Sequence, residues 1–210
     1  MKNNPSKQKV INAASTLFFQ KGFHGTSVRD IADRASVNVS SISYYFNSKQ
    51  GLLEYAVTHY YEDYLASIED TLQQCDLLSP IEKLQELIST IIQYKQSNYQ
   101  LTCFIQRELS LDSVFVREMT VTYLAKENFY IRKTFFDALG NRVKSEYKQY
   151  LLMQLKGMLI TPYILHNDWK DQVIGEYSHQ IFIKKYVKVI HDWLDFTIMS
   201  EQEMKRKVVH

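Results

Sequence analysis

Apolar residues in this chain return every third or fourth position along most of its length, and almost nowhere do they alternate. A spacing of i, i+3, i+4 puts them on one side of an α-helix, whereas a half-buried strand requires strict alternation. Val10, Ala13, Ala14, Leu17 and Phe18 make the first such stripe, closed by Gly22 at a C-terminal cap position. With only six glycines and three prolines in 210 residues, the turn signals of a many-stranded fold are missing. The pattern predicts an all-α protein.

Helix boundaries follow from the capping residues. Thr26 or Ser27 caps a short second helix whose inward residues are Ile31, Ala32 and Ala35, with Asp30 favourably near its start. A break at Ser36–Val39 precedes a helix of barely two turns, Ser40–Phe46, and Asn47 with Gln50 matches a capping box for a longer one. Ser79-Pro80-Ile81-Glu82 joins a capping box to proline at the first helical position, starting a helix that reaches Gln96. Further helices are expected over 98–109, 113–139 and 143–165, the last kinked by Pro162. A loop at 167–171, a final helix over 172–199 and a frayed tail at 201–210 complete the chain. The domain division expected is a head at 1–47 and a helical body at 48–200.

Charge is unevenly placed. The first fifty residues carry seven lysines and arginines against two aspartates, or +5, while the remainder is −3, for a whole-chain charge of +2. A basic head on a slightly acidic body suits contact with a polyanion, although a solvated surface has the same look. No apolar run spans a membrane and the start, MKNNPSKQKV, has no signal-peptide core, so a cytoplasmic protein is expected. Cys75 and Cys103 belong to no CxxC pair and read as buried reduced thiols. The six histidines are scattered without metal-ligand spacing, and no phosphate loop or nucleophile elbow is present. Neither catalysis, a metal nor a cofactor is expected.

Three short helices with a tight polar turn between the second and third form the outline of a helix-turn-helix, whose second helix enters the major groove. The third helix has Val37, Ile42 and Phe46 for an inward face and small hydroxyl groups for an outward one. Asn38 lies in the turn, Ser40, Ser41 and Ser43 suit phosphates or base edges, and Tyr44 and Tyr45 carry hydroxyls on rigid arms. Lys49 opens the following helix, where its ammonium and the exposed amides suit one phosphate. The same serines and tyrosines also suit plain capping and half-buried rings, and composition alone does not choose.

Order along the chain does. Residues 9–53 closely resemble the DNA-binding domain of the TetR family of bacterial transcriptional regulators, through V10-I11-x-A13-A14-x-x-L17-F18, K21-G22-F23, T26-S27-V28-x-x-I31-A32, A35-x-V37-x-V39-S40-S41-I42-x-Y44-Y45-F46 and K49-x-G51-L52-L53. The resemblance implies an N-terminal three-helix head on a larger helical regulatory and dimerisation domain, binding duplex DNA as a homodimer on a near-palindromic site. It implies groove or base contacts from Arg29, Val39, Ser40 and Ser41, with Thr26, Ser27, Tyr44, Tyr45 and Lys49 on the backbone. Two positions depart from the family pattern: Ser36 stands where glycine is usual, and Ser43 where a phosphate-binding tyrosine is usual.

The body admits several tasks. Tyr94, Tyr99, Phe104, Phe115, Tyr123, Phe129, Tyr130, Phe135 and Phe136 suit a core at helical spacing, or the lining of a small-molecule pocket of the kind TetR bodies hold. Arg117 and Glu118 suit a solvated face or a docking patch for another protein. Leu151, Leu152, Leu155, Leu159, Ile181, Tyr186, Ile190 and Trp193 are the apolar residues expected at a four-helix dimer interface. The segments ISYYFNSK, HYYEDYL, QREL and VREM are similar to RefZ-type members of the family in endospore-forming Bacilli. That narrower resemblance implies a nucleoid-associated regulator acting on FtsZ, or another division protein, during sporulation. The alternative is a repressor answering to a small molecule.

Overall fold

The computed structural model describes residues 5–111, 114–165 and 179–208. Nine α-helices and no strand are found among them: α1 Pro5–Lys21, α2 Val28–Ala35, α3 Val39–Phe46, α4 Lys49–Gln74, α5 Pro80–Ser97, α6 Tyr99–Ser110, α7 Val114–Leu139, α8 Ser145–Ile164 and α9 His179–Val208. The fold is all-α. No described helix is long and apolar enough to cross a membrane. The chain forms two compact units, one reaching Asp63 and taking in Asn98–Tyr123, the other made of Tyr64–Ser97 and the chain from Leu124 onward. The first therefore holds α6, the start of α4 and the start of α7 beside the three short helices expected as the head.

In the first unit, α1 buries the predicted stripe of Val10, Ala13, Ala14, Leu17 and Phe18. Gly22 ends α1 with φ +72°, and its N–H donates to the Phe18 carbonyl at 2.9 Å. Helix α6 packs against α1, with the Phe104 and Phe18 ring centroids 5.4 Å apart. Its Arg107 guanidinium donates to the Phe18 and Phe19 carbonyls at 2.9 and 3.1 Å. These lie in the last turns of α1, where a helix runs short of internal donors. Within the same unit the Tyr61 and Tyr123 rings stack 5.3 Å apart.

In the second unit, α5 opens with the predicted capping box: Ser79 N–H donates to the Glu82 carboxylate at 2.9 Å, and Glu82 N–H to the Ser79 hydroxyl at 3.3 Å. Leu84, Leu87, Ile88, Ile91 and Ile92 then form a buried stripe. A polar group sits inside this packing. Lys95, 3% exposed at its side chain, lies 3.3 Å from the Glu127 carboxylate, which also accepts from the Tyr64 hydroxyl at 2.6 Å. Such a pair is tolerated in a core because each charge is matched and hydrogen-bonded. Of the aromatics expected as core or pocket lining, Phe104 and Phe135 are fully buried and Phe129 is exposed, while the Phe115 side chain lies outside the described residues.

Pro162 lies inside α8 and has no N–H to give to the carbonyl four residues back, that of Met158. The Tyr186 hydroxyl of α9 supplies the missing donor at 2.7 Å. Burial pushes the Tyr186 phenol up to about 12, so it remains a donor at any physiological pH. The predicted loop at 167–171 and the predicted helix start at 172 fall outside the described residues. At the other end α9 runs on to Val208, through most of the segment expected to fray. SEQEMKRK is built of good helix formers without glycine or proline, so nothing in it stops the helix.

Replacing Tyr186 by Phe leaves the Met158 carbonyl without this donor and is expected to cost about 1–3 kcal/mol of stability in thermal or urea unfolding. Adding Pro162→Ala restores a backbone N–H to the same carbonyl. The double variant is expected to recover part of the loss.

Candidate nucleic-acid interface

The geometry of the head is set by its turns. Ser27 caps α2 through a reciprocal box with Asp30: Asp30 N–H donates to the Ser27 hydroxyl at 3.1 Å, and Ser27 N–H to the Asp30 carboxylate at 3.0 Å. These two bonds hold the Asp30 carboxyl below its ordinary range. Helix α2 ends on Ser36, which adopts the left-handed conformation with φ 54° and ψ 47°. Its N–H reaches the Asp33 carbonyl, while the Val37 N–H reaches the Ala32 carbonyl at 3.0 Å. This is a Schellman turn with serine where glycine is preferred. The serine keeps the turn that glycine would make and carries the strain of a Cβ in left-handed space.

Asn38 begins the next helix. Its side-chain oxygen accepts from the backbone N–H and from the hydroxyl of Ser40, both at 2.9 Å. From there α3 turns Ile42 and Phe46 inward, both buried. Ser40, Ser43 and Tyr44 are exposed and turn away from them, Ser41 and Tyr45 are half-buried, and Val39, three residues before Ile42 on the inward stripe, is 39% exposed at the helix start. Tyr44 is 82% exposed, and its ring meets Tyr45 edge-on at 5.2 Å. Between Ser43 and Tyr44, the longer outward-reaching hydroxyl is thus that of Tyr44. Arg29 is exposed on the first turn of α2.

The junction of α3 and α4 corrects one expected cap. Asn47 ends α3 with φ 64°, and Ser48 caps α4, its hydroxyl accepting the Gly51 N–H at 3.0 Å. Asn47, whose short side chain tolerates positive φ, takes the bend and leaves the capping to its neighbour. A Cβ on Gly51 would overlap the Phe46 carbonyl oxygen, so this close approach requires glycine.

Two residues expected on the DNA backbone have structural partners instead. Thr26 is 1% exposed, and its hydroxyl donates to the Gly22 carbonyl at 2.8 Å. The Lys49 ammonium donates to the Phe23 carbonyl at 2.8 Å and to the Thr26 carbonyl at 2.7 Å, and lies 4.3 Å from the Phe23 ring centroid. Lys49 ties the start of α4 to the turn between α1 and α2. The family pattern marks these positions without saying whether their partners lie inside or outside the protein.

Outside the head, Arg117 and Glu118 are both exposed on α7. The residues expected at a dimer interface divide. Leu152, Leu155, Leu159 and Ile190 are buried in the protomer's own core, Leu151, Tyr186 and Trp193 are half-buried, and Ile181 is 40% exposed. Beside Ile181, the outward apolar residues of these helices are Tyr147, Tyr150, Met153 and Ile164 on α8, and Val189 and Phe196 on α9. Both sets recur at helical spacing, so periodicity alone did not separate them.

Ser36→Gly is expected to raise stability by about 1 kcal/mol, read as a rise of about 2–4 °C in Tm, because glycine occupies left-handed space without strain.

The pattern for "Bacterial regulatory proteins, tetR family" matches residues 10–56, spanning α1 to the first turns of α4. Over 194 residues the chain is 38% identical to the probable HTH-type transcriptional regulator YttP of Bacillus subtilis strain 168, covering 90% of this chain and 92% of that protein. A shorter stretch of 62 residues is 40% identical to the biofilm operon icaADBC negative transcriptional regulator IcaR of Staphylococcus aureus strain Newman, 30% of this chain and 33% of that one. Among solved structures, the TetR family regulator PfmR of Thermus thermophilus superposes with a TM-score of 0.68 at 18% identity, over 87% of this chain and 97% of that one. The regulator FadR of Bacillus subtilis in complex with stearoyl-CoA gives 0.62 at 18% identity, over 87% and 96%. With the helix-turn-helix pattern seated on α1–α4 and a relative alike along nearly its whole length, the chain belongs to the TetR family of bacterial regulatory proteins.

Proposed function

We propose that this chain is a transcription regulator that binds duplex DNA in a sequence-specific way, as a homodimer, on a near-palindromic site. The observation that carries the reading is the outward face of α3, Ser40, Ser43 and Tyr44, presented by a helix fixed at both ends. Small hydroxyls and a projecting tyrosine suit phosphates and base edges, and exposed Arg29 on α2 suits a guanine. Pairing of two protomers is supported by the outward apolar residues of α8 and α9. A two-fold dimer of such heads reads an inverted repeat.

Selection from random duplexes is expected to enrich an inverted repeat, bound with an affinity that falls steeply as salt rises. Val189→Lys with Phe196→Lys is expected to give a monomer in sedimentation and to weaken operator binding at least tenfold. Failure to enrich any repeat counts against the reading.

For the body, the finer proposal is a RefZ-type link between DNA sites and FtsZ or another division protein during sporulation. It is supported by the segment likeness and by the exposure of Arg117 and Glu118 on α7. A ligand-responsive repressor is the second reading, favoured by a cleft of about 650 Å³ beside α5 and α9. Its lining includes Gln93, Lys184, Lys188 and His191, which suit a polar ligand better than an acyl chain. The two separate by experiment. Arg117→Ala and Glu118→Ala are expected to abolish a division phenotype while operator affinity stays within twofold. A compound that raises Tm and also releases DNA favours the repressor instead.

A further inference from the structure

We propose that the cleft of about 650 Å³ between α5 and α9 binds a small organic anion, a carboxylate or phosphate carrying a short apolar segment. The inference rests on the ligand-responsive reading above and supplies the class of ligand which that reading leaves open. Ser89, Gln93 and Ser97 line the cleft from α5, four residues apart and therefore in one row along that helix. Lys184 and Lys188 lie in one row on α9, with Ile183 and Val187 in the row beside it. From Ser89 to Ser97 the wall is about 12 Å long, the length of a small metabolite rather than of a long acyl chain.

Charge decides the class. The α9 wall carries two ammonium groups, and the lining holds no carboxylate. The cleft thus opposes the trend of the chain beyond residue 50, which is −3. A second cleft in the same unit, about 460 Å³, sets Asp76 and Asp137 against Lys83 and Lys133 and so has no preference for sign. Lys184 has no ion pair or side-chain hydrogen bond among the described residues. Lys188 donates to the Asp192 carboxylate at 2.7 and 3.0 Å, which leaves at least one of its three N–H groups for another acceptor. Across the cleft, the Gln93 amide and the Ser97 hydroxyl add neutral donors, while half-buried Ile183 and Val187 suit the apolar segment. The two walls are tied together beside Ser89: the His191 Nε2 donates to the Gln85 carbonyl at 3.1 Å, and the Ser89 hydroxyl donates to the same oxygen at 2.9 Å. A cleft whose walls are already tied loses less to ordering when a ligand arrives.

The test uses the full chain, titrated at constant ionic strength with four probes of similar length: pentanoate, butyl phosphate, pentanamide and pentylamine. At least one of the two anions is expected to bind about tenfold more tightly than the amide, and the amine not at all. Tighter binding of butyl phosphate assigns the ligand to the phosphates and of pentanoate to the carboxylates, and either result supports the site. Lys184→Ala with Lys188→Ala is expected to weaken the preferred anion about tenfold and to leave the amide unchanged. Lys184→Glu with Lys188→Glu is expected to turn the preference to pentylamine. Both lysines are exposed, and an unchanged circular dichroism spectrum confirms that each variant is folded. Absence of anion binding, equal binding of anions and amide, or anion binding that survives loss of both lysines overturns the proposal. Release of operator DNA, measured alongside, tests the underlying reading separately. Anion binding without DNA release leaves the site standing and sinks the ligand-responsive reading, whereas DNA release by the amide or amine alone does the reverse.

Discussion

The ammonium of Lys49 is the point on which the head is assembled. It gives hydrogen bonds to two carbonyls, Phe23 and Thr26, that belong to the turn between α1 and α2 and have no place in a helical ladder. Bonds from a charged donor contribute about 1.5–3 kcal/mol each, more than most neutral contacts in the unit. Because Thr26 immediately precedes the cap of α2, pinning its carbonyl fixes where α2 begins. Because Lys49 is the first residue of α4, the same ion fixes where α4 begins. Helix α3 hangs between these two fixed points, so its pose is determined without many side chains of its own.

A second constraint works from the other side of α1. The carbonyls of Phe18 and Phe19 accept from Arg107 of α6, and the Phe18 ring packs on Phe104. The end of α1 is therefore gripped by a cation from α6, and the turn that follows it by a cation from α4. Both use long side chains as donors to backbone oxygens at a helix end and in a turn, a role for which the snorkelling reach of Arg and Lys is suited.

Much of this architecture was legible in the chain. Gly22, Ser27 with Asp30, and Ser79 with Pro80 and Glu82 end or start helices for reasons local to a few residues, and the structure uses them so. What failed to read was non-local or degenerate. Whether Ser36 accepts positive φ depends on the packing of the two helices it joins, and it does. Adjacent Asn47 and Ser48 both suit a cap, and only the bend taken by Asn47 decides between them. Lys49 and its acceptors are 26 and 23 residues apart, so no window of sequence shows the pairing. Helix α8 carries apolar residues on more than one side, and its inner leucines resemble an interface until the protomer's own core is seen.

Helix α3 is electrically silent, while the cations of the head sit on its neighbours: Arg29 and Arg34 on α2, Lys9 and Lys21 on α1. On the proposed DNA-binding reading, long-range attraction to the phosphate chain comes from these neighbours, while close contacts fall to the neutral groups of α3 and to Arg29. On that reading, exchanging the outward residues of α3 for other neutral ones changes the address at which the protein settles while leaving the charge that sets its salt dependence untouched. Duplicated copies of such a gene can diverge in target by a few neutral-for-neutral substitutions, each made on a helix whose ends are already secured by Asn38 and by the glycine at position 51.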